Sequence, residues 1–242
     1  MNDAELNYML VKRFLQTQNF HGRTQLRFVA LWKKISWRAV VSFANFLKRA
    51  FDLLASFLFL LIFSPLFLLI AALIKLEDGG PVFFPQTRVG RFGREFKMWK
   101  FRSMCIDAEA RIKELLAQNQ HAEGVTFKIK NDPRVTRIGR WLRKFSLDEL
   151  PQFFNVLIGN MSLVGPRPPV PREVALYTLA DRRRLAALPG ITCFWQIGGR
   201  SEVDFSGQVQ LDVRYIETQS FWLDIKILMK TVPAVINSKG AY

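Results

Sequence analysis

The sequence predicts a mixed α/β protein that is mostly helical, with a membrane-embedded helix near its N-terminus and a small globular domain after it. Three observations predict this class. Residues 53–74 form an uncharged apolar run, and helical periodicity dominates the segments on both sides of it. Two short strand-like segments, at 81–84 and 95–102, flank a glycine-punctuated loop and predict a β-hairpin.

Residues 1–47 predict a basic amphipathic extension. From Leu26 onward, apolar residues recur at spacings of three and four, and basic residues occupy the remaining surface. Helices rich in aromatic and basic residues often lie in the headgroup plane of a bilayer. Packing against the protein's own core is the alternative for this helix. Its apolar residues are Phe28, Leu31, Trp32, Ile35, Val40, Phe43 and Leu47.

The apolar run at 53–74 is long enough to cross a bilayer. As a straight helix it would extend about 33 Å, against a hydrocarbon core of about 30 Å. Ser64 and Pro65 lie at its middle, and proline kinks or breaks a helix because it lacks an N–H and clashes with the preceding turn. Both flanks are basic, so charge asymmetry does not orient the run. A single kinked span and a re-entrant hairpin both remain open.

The charge of the chain favours acidic partners at a membrane. The formal net charge is +15 and the pI is about 10.3, and basic residues are spread along the whole chain. Anionic lipid headgroups and phosphorylated substrates match this charge. Nucleic acid matches it too, but an apolar run of this length favours lipid, and we expect no nucleic-acid partner.

The two cysteines, Cys105 and Cys193, are far apart and show neither metal-ligand spacing nor a disulfide framework. Both fit a reducing compartment. The apolar run starts too late and is too long for a cleaved secretory signal. We therefore expect most of the chain to lie in the cytoplasm, at the membrane.

The remainder of the chain predicts a sequence of short elements. Helices are predicted at 106–120, 136–144, 146–157, 181–188, 209–216 and 221–236, a strand at 191–197, and a rigid proline-rich loop at 164–169. The helix at 146–157 is predicted from a capping box, in which Ser146 is followed three residues later by Glu149.

The adjacent carboxylates Asp148 and Glu149 are the strongest candidates for chemistry. A helix N-terminus favours negative charge and is expected to keep Asp148 ionised. An ionised, positioned carboxylate can attack phosphorus and form an acyl phosphate. Glu149 would then hold Mg²⁺ or move a proton. The structural alternative is that both residues merely cap the helix.

Basic residues near this pair favour phosphate chemistry. Arg143 precedes Asp148 by five residues, Arg167 lies between prolines, and the predicted hairpin is crowded with cations. A phosphoryl-transfer site needs such cations to offset the charge on the transferring group. Surface salt bridges or a solvated edge are the alternatives for each. The hairpin cations are Arg88, Arg91, Arg94, Lys97, Lys100 and Arg102.

Ordered sequence blocks from Lys48 to Tyr242 resemble the bacterial sugar transferases, the monotopic phosphoglycosyl transferases that load a sugar phosphate onto polyprenyl phosphate. The blocks are KRAFDLL at 48–54, SP at 64–65, PVFFPQTRVG at 81–90, KFRSM at 100–104, the long segment 131–169 (NDPRVTRIGRWLRKFSLDELPQFFNVLIGNMSLVGPRPP), LPGIT at 188–192 and LDIKILMKT at 223–231. The number and order of these blocks make the resemblance specific.

The resemblance implies a fold and a location. It implies that the membrane helix is re-entrant and broken at Ser64-Pro65, and that interfacial amphipathic helices and a small cytoplasmic catalytic domain accompany it. The chain would then divide into an extension at 1–47, a helix-break-helix at 48–75 and a catalytic domain at 76–242. The expected location is the bacterial inner membrane, with the catalytic domain on its cytoplasmic face and anionic lipids around it.

The resemblance also implies a reaction. Asp148 would attack a UDP-sugar and form a phosphosugar intermediate, with release of UMP, and undecaprenyl phosphate would then accept the phosphosugar to initiate exopolysaccharide synthesis. Asp148 and Glu149 form the implied catalytic pair, with Mg²⁺ as cofactor and Glu149 as its ligand. The implied substrate-binding residues are Lys100, Arg102, Arg143, Arg167, Arg88 and Asp212. A homodimer is compatible with the sequence.

Two departures from the family pattern stand out. Many members have a four-helix membrane region and a domain upstream, whereas this chain resembles a near-minimal form with an added basic helix. After Thr192, many members read Gly-Trp-Ala-Gln, but this chain has Cys193-Phe194-Trp195-Gln196, in a loop expected to touch sugar or lipid. The rival function is a non-enzymatic, membrane-anchored basic scaffold, and the rival mechanism is direct transfer in a ternary complex.

Overall fold

The computed structural model of the protein describes residues 3–18, 20–108, 110, 132–198 and 203–236. The chain divides into two compact units, residues 1–48 and 49–242. The predicted division at 47 and 75 stays a prediction. Most of the predicted helix at 106–120 lies outside the described residues.

The first unit is helical throughout its described residues, as predicted. Helix α1 spans Asp3–Gln18, and helix α2 begins at Phe20 and continues into the second unit as far as Ile62. None of the described side chains between residues 5 and 48 is buried. Large apolar side chains such as Phe28, Trp32 and Phe43 are more than half exposed.

The apolar run is broken where the sequence predicts it. Helix α2 ends at Ile62, and helix α3 spans Ser64–Asp78 with Pro65 in its first turn, where the missing N–H costs no hydrogen bond. The two axes bend by 60°. Within the described residues, no helix alone has the length and apolarity to cross a membrane, but this bent pair together meets both criteria.

The predicted β-hairpin is confirmed. Strand β1 spans Phe83–Val89 and pairs antiparallel with strand β2, Glu95–Phe101, so that Arg88 lies opposite Phe96 and Phe84 opposite Lys100. The connecting 3₁₀ turn holds Phe92 at φ 59°. The hairpin packs on the rest of the second unit through Met98 and Phe101, which are both buried.

A second, parallel strand pair was not predicted. Strand β3 spans Ser162–Val164 and pairs with strand β4, Gly190–Thr192. The predicted strand at 191–197 is therefore wrong beyond Thr192, because the chain turns there into helix α7, Phe194–Gly198. The two strands have three residues each, which is too short for an alternating pattern to be recognised.

Most of the remaining helices of the second unit overlap predicted ones, but α6 was not predicted. Using labels in chain order, they are α4 (Arg137–Lys144), α5 (Gln152–Leu157), α6 (Pro171–Val174), α8 (Phe205–Thr218) and α9 (Phe221–Ile236), with a 3₁₀ segment at Asp181–Ala186. Thr136 caps α4 by accepting a hydrogen bond from the Gly139 amide at 2.9 Å.

Two apolar clusters hold the second unit together. The first joins β2, β3 and the C-terminal helices through residues such as Met98, Leu163, Tyr215 and Ile227. The second joins α3 to β2 and α4: Ile70 and Ile74 pack with Phe101 and Leu142. The second half of the bent helical pair is therefore part of the core rather than an appended anchor.

The first half of the bent pair is joined to the same domain by polar contacts. Arg49 donates hydrogen bonds to the carbonyls of Val156 and Leu157, at 2.8 and 3.2 Å, and so satisfies the C-terminal end of α5. Asp52 is buried and accepts a hydrogen bond from the Leu163 amide at 3.2 Å. These contacts connect the start of the apolar run to α5 and β3.

The far end of α3 makes a matching set of contacts. Glu77 accepts hydrogen bonds from the amides of Arg137 and Ile138, at 2.8 and 3.2 Å, and so caps the N-terminus of α4. Asp78 forms a bidentate ion pair with Arg102. Residues at both ends of the apolar run are therefore attached to one domain.

Candidate active site

The carboxylate pair lies on one 3₁₀ turn, Leu147–Glu149, which follows α4 directly. Ser146 precedes it at φ 55°, a left-handed conformation that is uncommon for a residue other than glycine. The Ser146 side chain makes no capping bond, and the α-helix does not start until Gln152. The predicted capping box and the continuous helix from Ser146 are therefore wrong.

Glu149 is held by two cations instead of by a helix end. Its Oε1 accepts hydrogen bonds from Lys100 Nζ at 2.9 Å and from Arg167 at 3.2 Å. Lys100 comes from β2 and Arg167 from the proline-rich loop after β3. Because both partners are far away in sequence, the local pattern had favoured a cap that does not form.

Arg88 supports the proline-rich loop beside this cluster. Its guanidinium donates to the Pro168 carbonyl at 2.9 Å and to Gln86 Oε1 at 2.7 and 3.1 Å. Burial, together with the nearby charge of Arg167, lowers the pKa of Arg88 to about 10, so it remains a cation at neutral pH. The loop that presents Arg167 is thus fixed by a neighbouring cation on β1.

The environments of the two carboxylates push their pKa values apart. Burial raises the pKa of Asp148 to about 6, and the charge of Glu149 adds to that rise while Lys100 opposes it. For Glu149, burial acts in the same direction, but Lys100 and Arg167 outweigh it and hold its pKa well below the usual range. Glu149 stays ionised, whereas Asp148 titrates near neutrality, as acid–base assignments in enzymes often require. The expected helix dipole at Asp148 is absent, because the turn is 3₁₀.

Both carboxylates and the neighbouring arginines line one large cavity of about 810 Å³. Its centre is charged, with Arg88, Arg143, Asp148, Glu149 and Arg167 around it. Lys100 supports the centre through Glu149. The predicted set of Asp148, Glu149, Lys100, Arg143, Arg167 and Arg88 therefore converges on a single site.

One end of the cavity is apolar. Phe51, Ala55 and Phe59 of α2 face it together with Leu228, Val232 and Val235 of α9. The α2 residues belong to the first half of the bent pair. The cavity thus extends from the charged centre to the surface of the apolar run, and a molecule with a phosphate and a hydrocarbon tail matches that polarity.

Two residues predicted to bind substrate are committed to other partners. Arg102 is buried, pairs with Asp78 and donates to the Pro81 carbonyl at 2.7 Å. It is not among the described residues that line the cavity. Asp212 is fully buried and pairs with Arg184. Their predicted roles in substrate binding stay predictions.

The carboxylates also meet the requirement for Mg²⁺. Within the described ranges, no group of three or more His, Cys, Asp or Glu side chains is arranged to hold a metal ion. Mg²⁺, however, is commonly bound by one or two carboxylates plus substrate phosphates rather than by an all-protein cage. Asp148 and Glu149, which line the charged centre of the cavity, fit that mode, and Mg²⁺ stays a prediction.

Several residues of the cavity were not singled out from the sequence. Tyr177, Arg184, Phe205 and Gln208 line it, together with Trp195. Only Trp195 had a signal, because it lies in the loop that departs from the family pattern. The others come together through tertiary contacts that no local motif encodes.

Comparison with known proteins identifies the family. Residues 43–238 match the profile of the family described as bacterial sugar transferase. This chain belongs to that family. The sugar transferase domain thus covers α3, both strand pairs and the entire charged cavity, and it leaves α1 and much of α2 outside. The predicted resemblance is confirmed, and with it the assignment to a class of enzymes.

Individual relatives agree with this assignment. The chain is 46% identical over 207 residues to the exopolysaccharide production protein ExoY of Rhizobium meliloti, a match that covers 84% of the chain and 92% of ExoY. It is 49% identical over 195 residues to the galactosyl transferase CpsE of Streptococcus agalactiae, covering 80% of the chain and 43% of CpsE. It is 46% identical over 202 residues to the undecaprenyl-phosphate galactose phosphotransferase of Salmonella typhimurium, covering 82% and 42%. The chain thus spans nearly all of ExoY but less than half the length of the other two.

Proposed function

We propose that this sugar transferase moves a sugar-1-phosphate from a UDP-sugar to polyprenyl phosphate, and that Asp148 carries the sugar phosphate between them. The proposal rests on a buried carboxylate, Asp148, that lines one cavity together with several arginines and an apolar end. The names of two relatives support the substrate classes: the undecaprenyl-phosphate galactose phosphotransferase of Salmonella typhimurium and a UDP-galactose-lipid carrier transferase of Erwinia amylovora, which is 41% identical over 202 residues.

In the first step, the Asp148 carboxylate attacks the phosphorus that bears the sugar. A bond forms between the Asp148 oxygen and that phosphorus, and the bond to the bridging oxygen breaks. The bridging oxygen leaves with its electron pair as part of UMP. Asp148 must be ionised for this attack, and its pKa of about 6 leaves it mostly ionised at neutral pH.

In the second step, a phosphate oxygen of polyprenyl phosphate attacks the same phosphorus. The acyl phosphate bond breaks, the Asp148 carboxylate is regenerated, and the sugar diphosphate lipid is released. The apolar end formed by Phe51, Phe59 and Val232 would take the first isoprene units of the acceptor. Both substrates thereby reach one phosphorus from the same cavity.

The cations of the cavity offset the charge that accumulates on the transferring group. Arg143 and Arg167 line the centre, and Lys100 holds Glu149 in place. Mg²⁺, when bound by Glu149 and the substrate phosphates, would add charge neutralisation of the same kind. These fixed charges favour the transition state because they need no reorganisation during the reaction.

We further propose that the bent helical pair is re-entrant. The first half is attached to the catalytic domain through Arg49 and Asp52, and the second half through Glu77 and Asp78. A span with its ends on opposite sides of a bilayer could not place both ends on one small domain. The domain and both ends would then lie on the cytoplasmic face of the bacterial inner membrane.

The N-terminal unit would hold the enzyme at an anionic lipid surface. Residues 1–52 contain nine Lys and Arg against three acids. In α2, exposed aromatic side chains such as Phe28, Trp32 and Phe46 are interspersed with exposed basic residues such as Lys34 and Arg38. Helices of this kind bury their apolar face at the level of the headgroups.

The proposal is tested by UMP release from purified protein with undecaprenyl phosphate, Mg²⁺ and a panel of UDP-sugars. Asp148→Asn should abolish release, whereas Asp181→Asn, an aspartate in the 3₁₀ segment outside the described cavity lining, should leave it intact. No release with any donor from folded wild-type protein would contradict the proposed transferase and favour the scaffold.

A further inference from the structure

A third part of the cavity lies beyond the charged centre and the apolar end. We call it the aromatic end, and it consists of Tyr177, Arg184, Trp195, Phe205 and Gln208. The rings of Tyr177 and Phe205 have centroids 5.3 Å apart, and the Arg184 guanidinium carbon lies 5.9 Å from each centroid. Three aromatic rings and a glutamine thus surround one region of the cavity.

The cation of the aromatic end, Arg184, is already paired with a carboxylate. The guanidinium of Arg184 is buried, forms an ion pair with the fully buried Asp212, and donates to the Tyr177 hydroxyl at 3.2 Å. Asp212 therefore neutralises Arg184, whereas the arginines Arg88, Arg143 and Arg167 lie around Asp148 and Glu149 at the centre. This end suits a neutral, planar group rather than a phosphate.

The aromatic end is within reach of a ligand held at the charged centre. The Arg167 guanidinium carbon lies 6.0 Å from the Trp195 ring, while an Arg167 nitrogen lies 3.2 Å from Glu149 Oε1. Arg167 thus contacts both the carboxylate pair and the first ring of the aromatic end. A molecule with phosphates beside Arg167 would place its next group against Trp195.

The chemistry of this end matches a nucleobase. Bases stack on aromatic side chains, and glutamine amides, which donate and accept, pair with the polar edges of bases. The amide of Gln208 is held in place by donating to the Val203 carbonyl at 2.9 Å. The apolar end offers Phe51 and Phe59 beside aliphatic residues, which fits a hydrocarbon instead.

We propose that the aromatic end binds the nucleobase of the donor, with the packed Tyr177–Phe205 pair against one face of the base and Gln208 at its edge. The inference rests on the proposed function, because it takes the donor to be a nucleoside diphosphate sugar. It assigns Arg184 and Asp212 a positioning role: their ion pair fixes Tyr177 and so shapes the base site. The hexose, which is attached to the other phosphate, would lie away from this end.

The test is the affinity of the full-length protein for UMP, measured by isothermal titration calorimetry in detergent. UMP carries the base but no hexose and only one phosphate. Phe205→Leu and Gln208→Met should each weaken UMP binding about tenfold, the order expected for a lost stacking or edge contact. The control Phe92→Leu changes an aromatic residue that is 70% exposed, and it should bind UMP like the wild type.

Three results would overturn the inference. They are wild-type protein that does not bind UMP, variants that are folded by circular dichroism but bind UMP like the wild type, and variants that raise the KM for the sugar nucleotide while their affinity for UMP is unchanged. The last result would assign this end to the hexose. Failure of the proposed function has a different signature: wild-type protein would bind UMP but transfer no sugar phosphate from any donor.

Discussion

At the scale of single residues, the site depends on the different surroundings of Asp148 and Glu149. Lys100 and Arg167 bind Glu149 directly and keep it ionised, while burial raises the pKa of Asp148 to about 6. In the proposed mechanism, the two adjacent carboxylates thereby take separate roles, Glu149 as a fixed counter-ion and Asp148 as the nucleophile. Neighbours in space, and not neighbours in sequence, make this difference.

The pKa of Asp148 predicts the pH dependence of the reaction. Because this pKa lies above the ordinary value for aspartate, the side chain becomes protonated as the pH falls through about 6, and a protonated carboxyl cannot attack phosphorus. The single-turnover rate of UMP release should therefore fall on the acidic side of about pH 6. Lys100 lowers the pKa of Asp148, so Lys100→Met should move this limb to higher pH. A rate that stays constant from about pH 5 to about pH 8 would contradict the assignment.

The partners of individual charged residues explain why part of the site could not be predicted. Ser146 and Glu149 have the spacing of a capping box. Glu149, however, is bound by Lys100, which lies 49 positions away in the sequence, and by Arg167, which lies 18 positions away. Arg102 and Asp212 are charged residues in matching family positions, yet buried ion pairs with Asp78 and Arg184 hold them. A sequence pattern records which charges exist, but only the fold decides which of them meet.

At the scale of elements, local signals predicted most of what was found. Proline at position 65 breaks the apolar run because it cannot continue the hydrogen-bond ladder of α2, and the alternation at 95–102 gives β2. Strand β3 was missed and β4 was predicted only in part, because both depend on pairing between segments nearly thirty residues apart in sequence. Their three-residue length leaves no periodicity to recognise.

The attachment of α2 to the catalytic domain predicts a stability effect. Arg49 satisfies two carbonyls at the end of α5, and a lost hydrogen bond from a charged donor costs about 2 kcal/mol. Arg49→Met should therefore lower the free energy of unfolding by roughly that amount, measured by denaturant titration in detergent. Arg38→Met, at an exposed position of the same helix, is the matched control and should change it little. Equal stability of the two variants would show that the Arg49 contacts do not hold the helix.

At the scale of the whole molecule, the contacts of the bent pair predict its topology. Cysteines introduced by Ala50→Cys and Leu76→Cys, in a background without Cys105 and Cys193, lie at exposed positions at the two ends of the apolar run. Both should react with an impermeant thiol reagent from the cytoplasmic side of inverted vesicles, and neither should react in intact cells. Labelling of one of them from outside would establish a true span and contradict the re-entrant arrangement.

The arrangement of the whole molecule explains how two different substrates would reach one carboxylate. Helix α3 forms part of the core of the domain that carries Asp148. The cavity of this domain ends at Phe51, Ala55 and Phe59 of α2. A lipid phosphate arriving along the apolar run and a soluble nucleotide sugar would meet at one carboxylate. The proposed mechanism depends on a covalent phosphosugar on Asp148.

The covalent phosphosugar can be detected by intact-protein and peptide mass spectrometry. The enzyme is mixed with Mg²⁺ and a UDP-sugar that it uses as a donor, without lipid acceptor. A covalent intermediate requires a mass increase of one sugar phosphate on the peptide that contains Asp148. This adduct should be absent in Asp148→Asn and should disappear when undecaprenyl phosphate is added. Full turnover by the wild type with no adduct at any time would contradict the account and establish direct transfer between the two substrates.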